Sequence, residues 1–286
     1  MQTTFGRPKS GLSVAGSTSK TSKPAPATLP DFSASARSAS TTEAQENVAL
    51  QVAEQMSDYL MRGAVSNAIN MPSITAEEAP ILKPFIRLAD VLGAFVGQVT
   101  ESAIKEIEIL YDGSTAAMNT KALTSAALAG LIRSQVSDVN MVSAPIMIKE
   151  KGIILSEVKR DKSGVFDGYI RLTVKTANQT RSIAGTVFSD GKPRFIQIKG
   201  INLDADVGNH MVYLTNTDVP GMIGFIGTTL GEAGVNIANF QLGRDKQGGD
   251  AIALLYVDGP IGDEVLAKLT ANPAVRQAKS LVFNVD

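Results

Sequence analysis

Apolar residues recur at three- and four-residue spacing in two early stretches of the chain. Val48, Val52, Met56, Tyr59 and Leu60 form one stripe, closed by Gly63, and Leu82, Phe85, Ala89, Leu92, Val96 and Val99 form a second, opened by Pro80 and Pro84. This spacing predicts two amphipathic helices, each with a face for burial against a partner. Ser40-Thr41-Thr42-Glu43 has capping-box spacing, so the first helix is expected to start there, with a hydroxyl at Ser40 accepting from the Glu43 amide. The polar stretch from Asn67 to Ala79, which holds Pro72, reads as a linker.

Beyond the second helix, strand and helix signals alternate. Ile104 to Tyr111, Ile153 to Val158, Tyr169 to Thr176 and Ser182 to Phe188 read as strands, and Thr120 to Val136 has helical spacing. Asp190-Gly191 marks a hairpin before Phe195-Ile196, because Asp-Gly tolerates the positive φ of tight turns. In the last eighty residues, strands at Met211 to Leu214, Val235 to Leu242, Ala251 to Val257 and Ser280 to Val285 interleave with helices at Pro220 to Ala233 and Asp263 to Leu269. That order, βαββαβ, predicts a ferredoxin-like antiparallel sheet with both helices on one face. The expected class is therefore α/β (α+β), in four parts: a disordered leader over 1–38, a helix over 39–66, an α/β domain over 67–206 and the ferredoxin-like domain over 207–286. No internal repeat appears.

Composition narrows the function classes. A net charge of -1 gives no general attraction to nucleic acid or an anionic membrane surface. With no cysteine there is no disulfide framework, thiol nucleophile or thiolate metal site, which makes the cytoplasm the expected compartment. No apolar run is long enough for a transmembrane helix or a signal peptide. The leader is rich in Ser, Thr, Ala and Pro, and carries Arg7, Lys9, Lys20, Lys23 and Arg37 against Asp31 alone. It lacks the regular amphipathic arginine pattern of a transit peptide and reads as disordered.

The chemistry concentrates near the C-terminus. Gly221, Gly224, Gly227 and Gly231 follow Pro220 at helical spacing, but no two glycines in the chain stand two positions apart, so no G-x-G-x-x-G phosphate loop exists. Helix-face packing or close approach of a ligand is the reading for these glycines. Exposed amides at a helix N-terminus favour a carboxylate, and Asp or Asn side chains accept from an ammonium, so the segment suits a zwitterion. The alternatives are a plain helix cap at Asp218 and a turn residue at Asn236. His210, the single histidine, reads as structural at a strand start. Arg181, Lys192, Arg194 and Lys199 cluster around the middle hairpin and read first as solvated charges.

The run NTDVPGMIGFIGTTLGEAGVNIANFQL resembles the ACT signature of amino-acid-sensing domains, and ASTTEAQENVALQVAEQMSDYL from Ala39 is similar to the helix that follows the catalytic histidine in D-3-phosphoglycerate dehydrogenases. The middle block resembles that family's intervening allosteric domain, so the likeness covers Ala39 to Asp286. It implies the regulatory part of a serine-biosynthesis dehydrogenase. Effector contacts for L-serine or a related amino acid fall at Asn216, Asp218, Gly221 and Asn236, shared across a homo-oligomer of ACT domains. Asn216 departs from the His or Tyr of other members. By the same resemblance Ala36 replaces the catalytic histidine, so no catalytic residue, no cofactor-binding residue and no metal are expected, NAD belonging to the intact family enzyme. Lys192 and Arg194 are a possible anion site, although Asn202 and Asp206 replace further basic residues. The competing expectations are an active NAD-dependent oxidoreductase and a stand-alone partner of a separate catalytic chain. The abrupt change at Ala39 also suggests that residues 1–38 read through a misframed gene start.

Overall fold

A computed structural model describes residues 41–66, 68, 72–161 and 164–285. The leader expected to be disordered, Ser40 of the expected capping box and Ala36 lie outside the described residues. Helix α1 spans Thr42–Arg62, and its cap is Thr41, whose hydroxyl accepts from the Ala44 amide at 3.2 Å. Gly63 ends it in the left-handed region, with φ of 73°. No residue of α1 is buried; Val48, Val52, Met56, Tyr59 and Leu60 are all more than half exposed. The first apolar stripe is therefore uncovered in this chain.

Helix α2 (Ala79–Val99) begins on a capping box missed in the linker: Thr75 and Glu78 exchange hydrogen bonds, the Thr75 amide donating to the Glu78 carboxylate and the Glu78 amide to the Thr75 hydroxyl. Strand β1 (Ile104–Gly113), a short 3-10 turn, helix α3 (Thr120–Arg133), helix α4 (Ser143–Glu150) and strand β2 (Ile154–Arg160) follow. Then come β3 (Gly168–Thr176), β4 (Thr180–Val187), β5 (Pro193–Ile198) and β6 (Ile201–Asp206). These six strands form one sheet in the order β2-β1-β3-β4-β5-β6, in which β1 and β2 are parallel and the other pairs antiparallel. Helices α2 and α3 cross at glycines. A Cβ added at Gly93 would meet the Ala127 carbonyl oxygen at 2.0 Å, and one at Gly130 the Asp90 carbonyl oxygen at 2.1 Å, so only hydrogen fits at this crossing.

The second sheet holds β7 (His210–Thr217), β8 (Ile237–Arg244), β9 (Asp250–Val257) and β10 (Val275–Val282), in the order β10-β7-β9-β8. Helices α5 (Met222–Glu232) and α6 (Asp263–Thr270) cover one face, which is the expected ferredoxin-like topology. Period-two alternation divides β7: Val212 and Leu214 pack beneath these helices, while Met211 and Tyr213 join the core of the first sheet. There the Phe95 ring meets Phe195 edge-on at 5.5 Å and Tyr213 at 5.1 Å. Burying each such ring contributes roughly 1.5–3 kcal/mol. The two sheets thus share one core, and residues 52–286 form one compact unit.

Four elements differ from expectation. Helix α4 and strand β6 were not anticipated, α3 stops at Arg133, and the closing strand runs over 275–282 instead of 280–285. No helix among the described residues is long and apolar enough to cross a membrane.

Candidate effector site

The end of β7 and the segment between it and α5 carry three of the four expected contacts. Asn216, near the end of β7, is 2 % exposed; its amide nitrogen donates to the Thr217 carbonyl at 2.8 Å, and its side-chain oxygen has no partner. The Asp218 carboxylate accepts from the Arg244 guanidinium at 2.7 Å and from the Gly248 amide at 3.1 Å. The hydrogen bond from Arg244, reinforced by that from Gly248, holds the carboxyl below its ordinary range. Asp218 is not the cap of α5. Gly221 occupies the N-cap at φ 87°, and no side chain caps the helix, so its first-turn amides remain available to an anion.

Asn236 stands elsewhere. Its amide donates to the Asp258 carboxylate at 2.8 Å, just before β8. Asn216 pairs with Ala251 of β9, whereas Ile237, next to Asn236, pairs with Val257. Six residues of strand separate the two positions, about 20 Å at roughly 3.4 Å per residue. Within one chain Asn216, Asp218 and Gly221 share one end of the sheet and Asn236 lies at the other. The glycine stripe of α5 also finds no packing partner in this chain: Cβ atoms at Gly224, Gly227 and Gly231 would meet nothing within 4 Å.

The basic cluster divides in two. The pairing of Ile183 with Ile198 and of Thr186 with Arg194 puts Arg181 and Lys199 at one end of the β4–β5 pair and Lys192 and Arg194 at the other. Arg194 lies 2.8 Å from Asp206, 3.7 Å from Asp204 and 3.9 Å from Asp190, with its guanidinium 4.8 Å from the Phe188 ring centre. An anion arriving there faces three carboxylates, which disfavours the arrangement as an anion site. His210 is half-buried at the start of β7 and its Nδ1 has no partner.

Among the described residues, the turn after β1 does not fit a dinucleotide. A pyrophosphate needs a strand, a glycine turn and a helix N-terminus in succession. After β1, a strand of the parallel pair, the chain instead enters a 3-10 turn in which Thr115 donates its hydroxyl to the Asp112 carbonyl, and no second glycine stands between Gly113 and α3. Among the described residues no group of three or more His, Asp or Glu is placed to hold a metal ion. The partners that sequence reading missed are Arg244 and Gly248. Both come from the β8–β9 hairpin, 26 and 30 residues from Asp218, and only the sheet register brings them near.

Residues 81–199 match the family model of the D-3-phosphoglycerate dehydrogenase intervening domain. Over 242 residues the chain is 34% identical to D-3-phosphoglycerate dehydrogenase of Bacillus subtilis, covering 84% of this chain and 46% of that protein. The Synechocystis protein of the same name is 35% identical over 242 residues, 84% of this chain and 44% of its own. The Methanocaldococcus jannaschii one is 32% identical over 241 residues, 83% and 45%. The chain spans about half the length of the curated relatives it matches. Residues 81–199 thus carry the intervening domain of D-3-phosphoglycerate dehydrogenases, and the chain is similar to those proteins over most of its own length.

Proposed function

We propose that residues 207–286 are an ACT-type sensor of a small amino acid, with L-serine as the effector, and that the chain regulates the dehydrogenation named for its relatives instead of performing it. The observation that carries this reading is the separation of the contacts. Asn216, Asp218 and Gly221 stand at one end of the sheet and Asn236 at the other, so a complete site needs two copies whose two-fold axis brings opposite ends together. The uncovered glycine stripe on α5 supports close approach of a second protomer or of the ligand. In that arrangement the free amides of α5 take the carboxylate and Asp218 takes the ammonium. Effector binding then shifts the equilibrium of the assembly and slows serine biosynthesis.

No catalysis and no binding of NAD or 3-phosphoglycerate is assigned to this chain, whose sequence holds no G-x-G-x-x-G fingerprint. The cytoplasm is the compartment consistent with a cysteine-free chain.

Calorimetric titration of the full chain with L-serine, alongside sedimentation, tests the reading. We expect an oligomer that binds serine, and Asp218→Ala and Asn236→Ala each to weaken binding on the order of 10- to 100-fold, as for loss of a charge-assisted hydrogen bond. A monomer at micromolar concentration with and without serine, or unchanged affinity in both variants, would remove the two-copy site.

A further inference from the structure

A second cavity lies in the seam between the two sheets, and it is complete within one chain. It has a volume of about 100 Å3 and is lined by Lys199 and Ile201 from the β5–β6 turn, by Thr215 and Asn216 of β7, and by Asp245, Asp250 and Arg276, among others. Its size suits one small solute in place of a few waters.

The charges of the lining are arranged in an unequal way. Arg276 and Asp250 satisfy one another at 2.7 Å. Lys199 and Asp245 are exposed charges of opposite sign, and neither is in an ion pair among the described residues. Asn216 lines the cavity as a residue, and its side-chain oxygen is buried with no partner among the described residues. A bare anion in this cavity meets Asp245 and Asp250; a bare cation meets Lys199 and Arg276. A molecule carrying both charges meets neither conflict.

The backbone points to the same place. Lys199 and Gly200 form a two-residue hairpin turn with φ of 50° and 81°. Both central positions of such a turn require positive φ, which glycine and asparagine tolerate and lysine does not favour. A cavity-lining residue held in an unfavourable conformation is an observation that calls for a role.

We propose that this seam cavity binds a small zwitterionic amino acid, its carboxylate on Lys199 and its ammonium on Asp245, against Asn216. The choice of an amino acid as ligand rests on the effector reading above; the site shares Asn216 with the two-copy site and differs from it at Lys199 and Asp245. Lys199 belongs to the first sheet and Asn216 to the second, so a ligand here bridges the two layers and reports their relative placement.

The test is nitrogen-resolved NMR of the full chain, titrated with L-serine and, separately, with L-glycerate, which replaces the ammonium by a hydroxyl. We expect L-serine to shift the Lys199 and Gly200 amides and the Asn216 side-chain amide saturably, and L-glycerate to leave them in place. Lys199→Asn suits the turn, so the fold persists, and it should raise the apparent Kd on the order of tenfold. Asn236→Ala, at the far end of the sheet, should leave these shifts intact. Serine moving only Gly221 and Asn236 would overturn the seam site and leave the two-copy reading standing. Seam shifts without any response at Gly221 and Asn236 would do the reverse. Equal response to L-glycerate would make the cavity an anion site and overturn the zwitterion, and no response anywhere would end both readings.

Discussion

The hydroxyl of Tyr111, on a side chain with no exposed surface, lies 2.7 Å from the hydroxyl of Thr124. Thr124 donates its one proton to the Glu157 carboxylate at 2.6 Å, so it receives from Tyr111. Burial pushes the Tyr111 phenol above the ordinary tyrosine range, which keeps it a donor at every physiological pH. The chain of bonds ties β1, α3 and β2 together. It matters most for β2, an edge strand whose seven residues are all exposed and which has little apolar burial to hold it.

Thr124→Val is expected to destabilise the fold by about 1–2 kcal/mol in urea unfolding. It strands Glu157 and leaves Tyr111 only the 3.4 Å contact to the Thr120 carbonyl. Tyr111→Phe should cost about 1 kcal/mol, since Thr124 keeps its bond to Glu157. Unchanged stability in Thr124→Val would show that the relay contributes nothing.

Two sets of glycines should respond in opposite directions to the same substitution. At Gly93 and Gly130 an added methyl would collide with a backbone carbonyl that cannot move without separating the helices. Either alanine variant should lose at least about 1–3 kcal/mol, the usual range for an overfilled core. At Gly227 the methyl meets nothing, so Gly227→Ala should gain roughly 0.5–1 kcal/mol from helix propensity alone. If α5 instead packs against a second protomer, Gly227→Ala weakens self-association while raising the Tm of the dissociated chain. Sedimentation and thermal melting on one sample separate these effects.

The Asp218–Arg244 pair predicts a pH dependence of definite sign. The native carboxyl titrates below its unfolded value, so the pair adds stability above the ordinary aspartate range, near pH 4, and loses it as pH falls through the depressed native value. Asp218→Asn should therefore differ from the parent most above about pH 4 and converge with it in stronger acid. Carboxyl carbon shifts followed against pH locate the native midpoint. A midpoint at or above the ordinary aspartate value would show that Arg244 does not hold Asp218 in solution.

The elements with strong local signals were legible before the structure. The ferredoxin-like order was readable because its strands alternate between two buried faces, as Met211 to Leu214 do. Helix α4 escaped because its eight residues include Pro145 and make too few turns for a period to emerge. Strand β6 escaped because Asn202, Asp204 and Asp206 depress strand propensity, and its charges are offset only by Arg194 across the sheet. Asn216 at the end of β7, with Asp218 and Gly221 after it, could be named from the resemblance to the ACT signature. Their partners Arg244 and Gly248 and the seam cavity could not, since each depends on register between strands distant in sequence.

Lys199 offers a way to separate folding from binding, because the two should change in opposite directions. Its φ of 50° lies in a region that costs non-glycine residues on the order of 1 kcal/mol, and the same turn accepts asparagine at that position with little strain. Lys199→Asn should therefore be more stable than the parent by up to roughly 1 kcal/mol, read as a higher urea midpoint with an unchanged slope. Gly200→Ala, at φ 81°, should shift the midpoint the other way by a similar amount. Were Lys199 retained for stability, its replacement by asparagine would lower the midpoint, and the strained turn would need another explanation. A raised midpoint identifies a residue that the fold would do better without, and the charge it brings to the residues lining the cavity is then the feature to account for.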